Sequence, residues 1–170
     1  MFPYCSNLRL WDGCVGGARM RVTVEKSRRL LTVTENGRTL WHTHVALGRE
    51  PAGLKRREGD GRTPEGVYHV CLCKEQGKYG LSLGLSYPGA ADARRAYAEG
   101  TIDRATLNVV EAAETEGRRP PWGTPLGGEI YLHEGPTDSD WTQGCIALAP
   151  QDMARLYACR NRIEAVEILP

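Results

Sequence analysis

The sequence predicts a mainly β domain with inserted helices, occupying residues 20–170, behind an N-terminal extension of residues 1–19. Three observations carry this. Short runs of alternating apolar and polar residues follow one another from Met20. Two of them are joined by Asn36-Gly37, the pair that accepts the positive φ angles of a tight hairpin. Helical segments enter only after residue 89, and at 170 residues the chain fits one domain around one core.

Taken in order, "RVTVEK" alternates as a strand, and "RLLTVTENGRTLWHTHVALG" reads as two strands around the Asn-Gly turn. Residues 48–63, "GREPAGLKRREGDGRT", are charged and glycine-rich and read as a surface loop. "PEGVYHVCLC" predicts a further strand, rich in β-branched and aromatic residues. Helices are expected over 89–98 and 103–116, the second capped by Asp103 and ended by Gly117. "EIYLH" is a short strand ending at His133. Pro150 opens a helix, because proline needs no amide partner at a first helical position. "IEAVEIL" closes the domain as a strand, and no internal repeat is present.

Composition excludes several functions. Twenty-two Lys and Arg against 21 Asp and Glu leave a net charge of +1, which offers no broad basic field for nucleic acid. No apolar run approaches the roughly 18 residues of a membrane span. The first 20 residues lack a basic-then-apolar leader, so the chain as written is expected in the cytoplasm, with the periplasm or cell envelope as the alternative if a leader is missing. Six cysteines (Cys5, Cys14, Cys71, Cys73, Cys145, Cys159) are then expected as free thiols. His69, Cys71 and Cys73 alternate along one run, as do His42 and His44. Structural zinc sites use turn-borne C-x-x-C spacing, so these are read as packing residues and no metal is expected. Lys55, Arg56, Arg57 and Arg62 form a basic stretch that reads either as a solvated loop or as an anion-recognising one.

His133 and Cys145 carry chemistry. A thiol of reference pKa about 8.5 becomes a nucleophile when an imidazole takes its proton. The glycine- and proline-containing loop 134–144 is long enough to fold back and bring the two together. Gly144 lets a carbonyl approach, so that amides near Cys145 can hold an oxyanion.

Beyond this the pattern is specific. "HEGPTDSDWTQGCIAL" resembles the active-site signature of the L,D-transpeptidase (YkuD-domain) family, in its branch reading Trp-Thr-x-Gly-Cys-Ile-Ala. "VEKSRRLLTVTENGRTLWHTHVALG", with its lysine and hairpin, "EGDGRTPEGVYHV" and "LGLSYPGAADARRAY" resemble further family segments in the same order. The resemblance spans residues 20–168 and implies a mixed β-sandwich or barrel-like catalytic domain acting on peptidoglycan stem peptides. It implies Cys145 as nucleophile at the L-centre carbonyl of a diamino acid such as meso-diaminopimelate, with release of D-alanine. His133 becomes the base, and amides around Gly144 and Cys145 the oxyanion donors, with no cofactor. Transfer to an amine gives a cross-link. Transfer to water gives an L,D-carboxypeptidase, and a non-catalytic murein-binding module is the remaining alternative.

Three departures from the family pattern stand out: Gln143 where histidine is common, Ala147 where arginine is common, and Glu134 where glycine is usual. The substrate carboxylate therefore needs another partner, for which Arg62 is the expectation. Trp141, Thr142 and Gly135 are expected to contact substrate or shape the loop, and Asp138 and Asp140 to be solvated. The sequence leaves the oligomeric state open.

Overall fold

Alternation and one turn build the first hairpin. β1 (Met20–Glu25) buries Met20, Val22 and Val24, and pairs antiparallel with β2 (Leu30–Glu35). Asn36 and Gly37, at φ 49° and 77°, turn the chain into β3 (Arg38–Ala46), the left-handed pair such a hairpin requires. The computed structural model describes residues 17–170; residues 1–16, with Cys5 and Cys14 and most of the expected extension, lie outside the described residues.

Six further strands complete a nine-stranded sheet: β4 (Gly66–Tyr68), β5 (Val70–Gly77), β6 (Gly80–Leu85), β7 (Tyr131–Glu134), β8 (Ile146–Leu148) and β9 (Ile163–Leu169). Their order is β4-β9-β1-β2-β3-β8-β7-β6-β5. β1 runs parallel to β9 and β7 parallel to β8, and the other pairings are antiparallel. The segment read as one strand, "PEGVYHVCLC", is broken at His69, and its halves occupy opposite ends of the sheet. Main-chain His69 and side-chain and main-chain Ser86 exchange bonds of 3.0 Å at this corner. Because β4 and β5 are neighbours in the chain, the two sheet ends are drawn together. The result is a nearly closed, barrel-like sheet with β5 packed against β9.

β6 lacks counterpart in the sequence reading because Ser82 to Leu85 are all buried, so no alternation marks it. The expected helices form as α1 (Ala90–Ala98), α2 (Arg104–Thr115) and α3 (Pro150–Ala158). Asp103 caps α2 by accepting from the Thr106 amide at 2.8 Å, and Gly117 leaves it at φ 64°. α3 packs on β6 and β7 through Met153 and Leu156. Its burial there steadies the two strands that flank the site, each such side chain contributing about 1.5–3 kcal/mol. α1 and α2 form a small cluster of their own around Ala93, Ala96, Leu107, Val110 and Leu126. Among the described residues no helix is long and apolar enough to cross a membrane.

The 48–63 loop departs from its solvated reading. Lys55 is only 3% exposed; its ammonium donates to Asp60 at 2.7 Å and to the Arg57 carbonyl at 3.0 Å. Lys26, at the end of β1, is equally buried and reaches the Gly53 and Thr63 carbonyls and Glu65. Lys26 thus holds the loop against the sheet and Lys55 ties the loop to itself, each ammonium paired as burial demands.

Candidate active site

β7 and β8 lie parallel with Leu132 opposite Ile146 and His133 opposite Ala147. Leu132 and Ile146 are wholly buried in the core, so the alternate residues, Tyr131 and His133 on β7 and Cys145 leading into β8, share the other face. Cys145 and His133 are therefore offset by one strand and two residues, about 4.8 Å across and 6.6 Å along.

The loop between them is held at both ends, from Gly135 and from Asp140 to Gly144. The Gly135 amide donates to the Leu148 carbonyl, and the Trp141 indole N–H to the Pro136 carbonyl. Asp140, expected to be solvated, is instead a tie point: it pairs with Arg29 at 2.7 Å and accepts from the Leu47 amide at 2.9 Å. The Thr142 amide donates to the Leu47 carbonyl, and the Thr142 carbonyl accepts from the Arg49 amide, which fastens the loop to the end of β3. The Thr142 hydroxyl donates to the Cys145 carbonyl at 2.7 Å and accepts from the Gly144 amide at 3.1 Å.

That last bond changes the expectation for Gly144. Its N–H already donates to the Thr142 hydroxyl. Its φ of 132° and its neighbour explain the glycine instead: a Cβ would stand 2.6 Å from the Arg62 carbonyl oxygen. Gly135 is likewise explained by packing, since a Cβ there would stand 2.7 Å from the Trp141 ring.

His133 is 2% exposed. Tyr79 stacks on the imidazole with centroids 4.6 Å apart and planes 20° apart, and Trp141 meets it edge-on at 5.7 Å. Nδ1 lies 2.8 Å from the Glu134 carbonyl oxygen. A carbonyl only accepts, so Nδ1 carries the proton and Nε2 is the basic nitrogen. Burial lowers the His133 pKa below its ordinary value, with the Glu134 carbonyl opposing.

The Cys145 thiol points at the Glu129 carbonyl (3.5 Å) and accepts from the Tyr131 amide (3.4 Å). Burial raises its pKa; the Tyr131 amide and the Lys55 ammonium oppose this, and Glu129 reinforces it. Thiol and imidazole therefore rest neutral, and no hydrogen bond joins them among the described residues. A neutral pair of this kind can serve acyl transfer only by moving the proton as the sulfur attacks, not by storing a thiolate. Glu129 holds a left-handed conformation at φ 55°, the local strain that aims its carbonyl at the sulfur.

Arg62 is brought near by its main chain rather than its guanidinium, which donates to the Leu54 carbonyl and lines a groove of about 680 Å³ with Arg56, Arg57 and Asp60. Glu134, on the opposite alternation to His133, accepts from the Leu81 amide, its carboxylate lying where a Gly80 side chain would be. Trp141 closes over His133 and Gly135 and packs the loop against them. Among the described residues no group of three His, Cys, Asp or Glu is disposed to hold a metal, and His42 and His44 are exposed on β3.

Sequence reasoning missed Tyr79 and Tyr131. Tyr79 sits in the two-residue turn Lys78-Tyr79 between the paired Gly77 and Gly80, a spacing legible as a hairpin. Strand alternation from His133 reaches Tyr131 directly.

The L,D-transpeptidase catalytic domain (YkuD) family matches residues 19–166 of the chain. No curated protein matches it. Among solved structures, Bd1075 of Bdellovibrio bacteriovorus superposes with a TM-score of 0.56 at 21% identity, covering 90% of this chain and 48% of that one. The helical cell shape determining protein Pgp2 of Campylobacter jejuni gives 0.57 at 21%, covering 91% and 47%. An L,D-transpeptidase of Stackebrandtia nassauensis gives 0.54 at 15%, covering 95% and 60%. At these identities the likeness is one of fold, and the chain spans about half the length of the first two.

Proposed function

Because the chain belongs to the YkuD family of L,D-transpeptidase catalytic domains, we propose that it is a cysteine-dependent acyltransferase acting on peptidoglycan stem peptides. Cys145 attacks the carbonyl at the L-centre of the diamino acid, and His133 Nε2 takes the thiol proton as the C–S bond forms. The tetrahedral oxyanion is held by the Cys145 amide, since the neighbouring Gly144 amide is given to Thr142. His133 then returns the proton to the nitrogen of the departing D-alanine, and a thioester remains on Cys145. An amine of a second stem attacks the thioester to make a cross-link; water attacking instead trims the stem.

One observation carries this reading. An imidazole with its proton fixed on Nδ1, sheltered by two aromatic rings, shares a sheet face with a half-buried thiol one strand away. A core histidine satisfied by packing would not need its second nitrogen kept unprotonated beside a cysteine.

The test is incubation with a disaccharide-tetrapeptide followed by mass spectrometry, with Cys145→Ala as control. A cross-linked dimer is expected from the wild type and none from the variant. Loss of one alanine without dimer assigns water as the acceptor. An unchanged substrate with the wild type defeats the acyl-transfer reading.

A further inference from the structure

On the face that bears Cys145, four side chains form a row that the loop and base do not use. The Lys74 ammonium lies 4.7 Å from the centroid of the Tyr131 ring. Tyr131 meets Trp122 edge-on at 5.8 Å, and the Arg119 guanidinium lies 4.9 Å from the Trp122 centroid. Cations hold such places on aromatic faces by the ring quadrupole. Lys74 and Arg119 are both exposed, and among the described residues neither forms an ion pair. Two cations without an ion pair among the described residues thus flank two rings that meet edge-on.

Tyr131 supplies the second, independent observation. It is 9% exposed, yet its hydroxyl is buried with no hydrogen-bond partner. An unmade bond on a buried hydroxyl costs about 1–3 kcal/mol, which an acceptor oxygen reaching it would recover. Its main chain is already at the nucleophile, the Tyr131 amide donating to Cys145 Sγ. Room for the ring comes from Gly84, opposite it on β6, where a Cβ would stand 3.0 Å from a Tyr131 ring carbon.

We propose that Lys74, Arg119 and the Tyr131 hydroxyl form a subsite for a free carboxylate of the peptide whose carbonyl Cys145 attacks. The inference rests on the acyl-transfer reading and deepens it. It assigns carboxylate recognition to the Tyr131 side of the nucleophile rather than to Arg62, whose guanidinium is turned back onto Leu54. Charge and donors agree: Lys74 and Arg119 stand over the faces of two rings that meet edge-on, one of which carries the unpartnered hydroxyl. The free carboxylates of a stem peptide include the side-chain carboxylate of the diamino acid and the C-terminal carboxylate.

The experiment is calorimetric binding to the Cys145→Ala protein, which needs no turnover. The probes are the disaccharide-tetrapeptide and two versions of it, one amidated at the side-chain carboxylate and one at the C-terminus. One amidation is expected to weaken binding about tenfold, and which one does so identifies the carboxylate. Adding Lys74→Ala and Arg119→Ala, both at exposed residues, reduces that penalty to within about twofold. Tyr131→Phe, which removes one oxygen, gives an intermediate penalty. Equal binding of all three peptides, no binding of any, or a full penalty retained in the Lys74/Arg119 variant overturns the subsite. A wild type without turnover that still shows the penalty overturns the acyl-transfer reading and leaves the subsite standing.

Discussion

Tyr79 contributes a ring whose outer face is exposed and whose inner face covers His133. The consequence is electrostatic. Burial disfavours the imidazolium, so the His133 pKa falls below its ordinary 6.5. A base must be neutral to act, so kcat/KM is expected to hold as pH falls through 6.5 and to decline only below it. Tyr79→Ala opens the ring to water and should move that acid limb upward toward 6.5, while Tyr79→Phe, which keeps the stack, should leave it in place. A pH–rate profile of the three proteins checks this; identical limbs would mean the stack does not set the protonation of the base. The same burial carries a stability cost in acid, because below pH 6.5 the unfolded chain takes up a proton that the folded one refuses.

At the level of elements, the loop between β7 and β8 is a splint rather than a tether. Asp140 and Thr142 fasten it to the ends of β2 and β3, and Gly144 lets it pass directly under the Arg62 carbonyl. Gly144→Ala would meet both a φ of 132° that L side chains rarely adopt and a carbonyl oxygen at 2.6 Å. A loss of about 3 kcal/mol or more is expected, seen as a lower denaturation midpoint, together with misplacement of Cys145. A midpoint equal to the wild type would show that the Arg62 and Gly144 segments are free to part. Glu134 and Gly80 show the same reciprocity, a carboxylate on one strand fitted to a missing side chain on its neighbour.

Across the whole molecule, the charged 48–63 loop is part of the support. Burial alone would raise the Asp60 pKa. The Lys55 ammonium and the amides of Arg56, Arg62 and Arg57 outweigh it and bring the carboxyl below its ordinary 3.8. A depressed carboxylate stabilises the fold above its unfolded pKa and loses that contribution as pH falls through the folded one. Asp60→Asn is therefore expected to lower unfolding free energy at pH 7 and to cost progressively less below pH 3.8. Urea titrations at the two ends of that range decide it, and a deficit independent of pH would assign the loss to hydrogen bonding alone.

What could be read in advance followed from local rules. The Asn36-Gly37 hairpin, the Asp103 cap and the Pro150 helix start depend on neighbours within a few residues, and the His133-to-Cys145 motif is contiguous in the chain. The sequence by itself thus determined the mainly β class, the helices, and the family. Only the tertiary structure decided which end of the sheet each half of "PEGVYHVCLC" joins, that Lys55 and Asp140 are tied rather than solvated, and that the Gly144 amide is given to Thr142. It alone brought Tyr79, Lys74 and Arg119, 54 or more residues before His133 or in another loop, around one sheet face. The physical reason is burial: whether a charge, a ring or an amide is free depends on what lies against it across the fold, and no local periodicity records that.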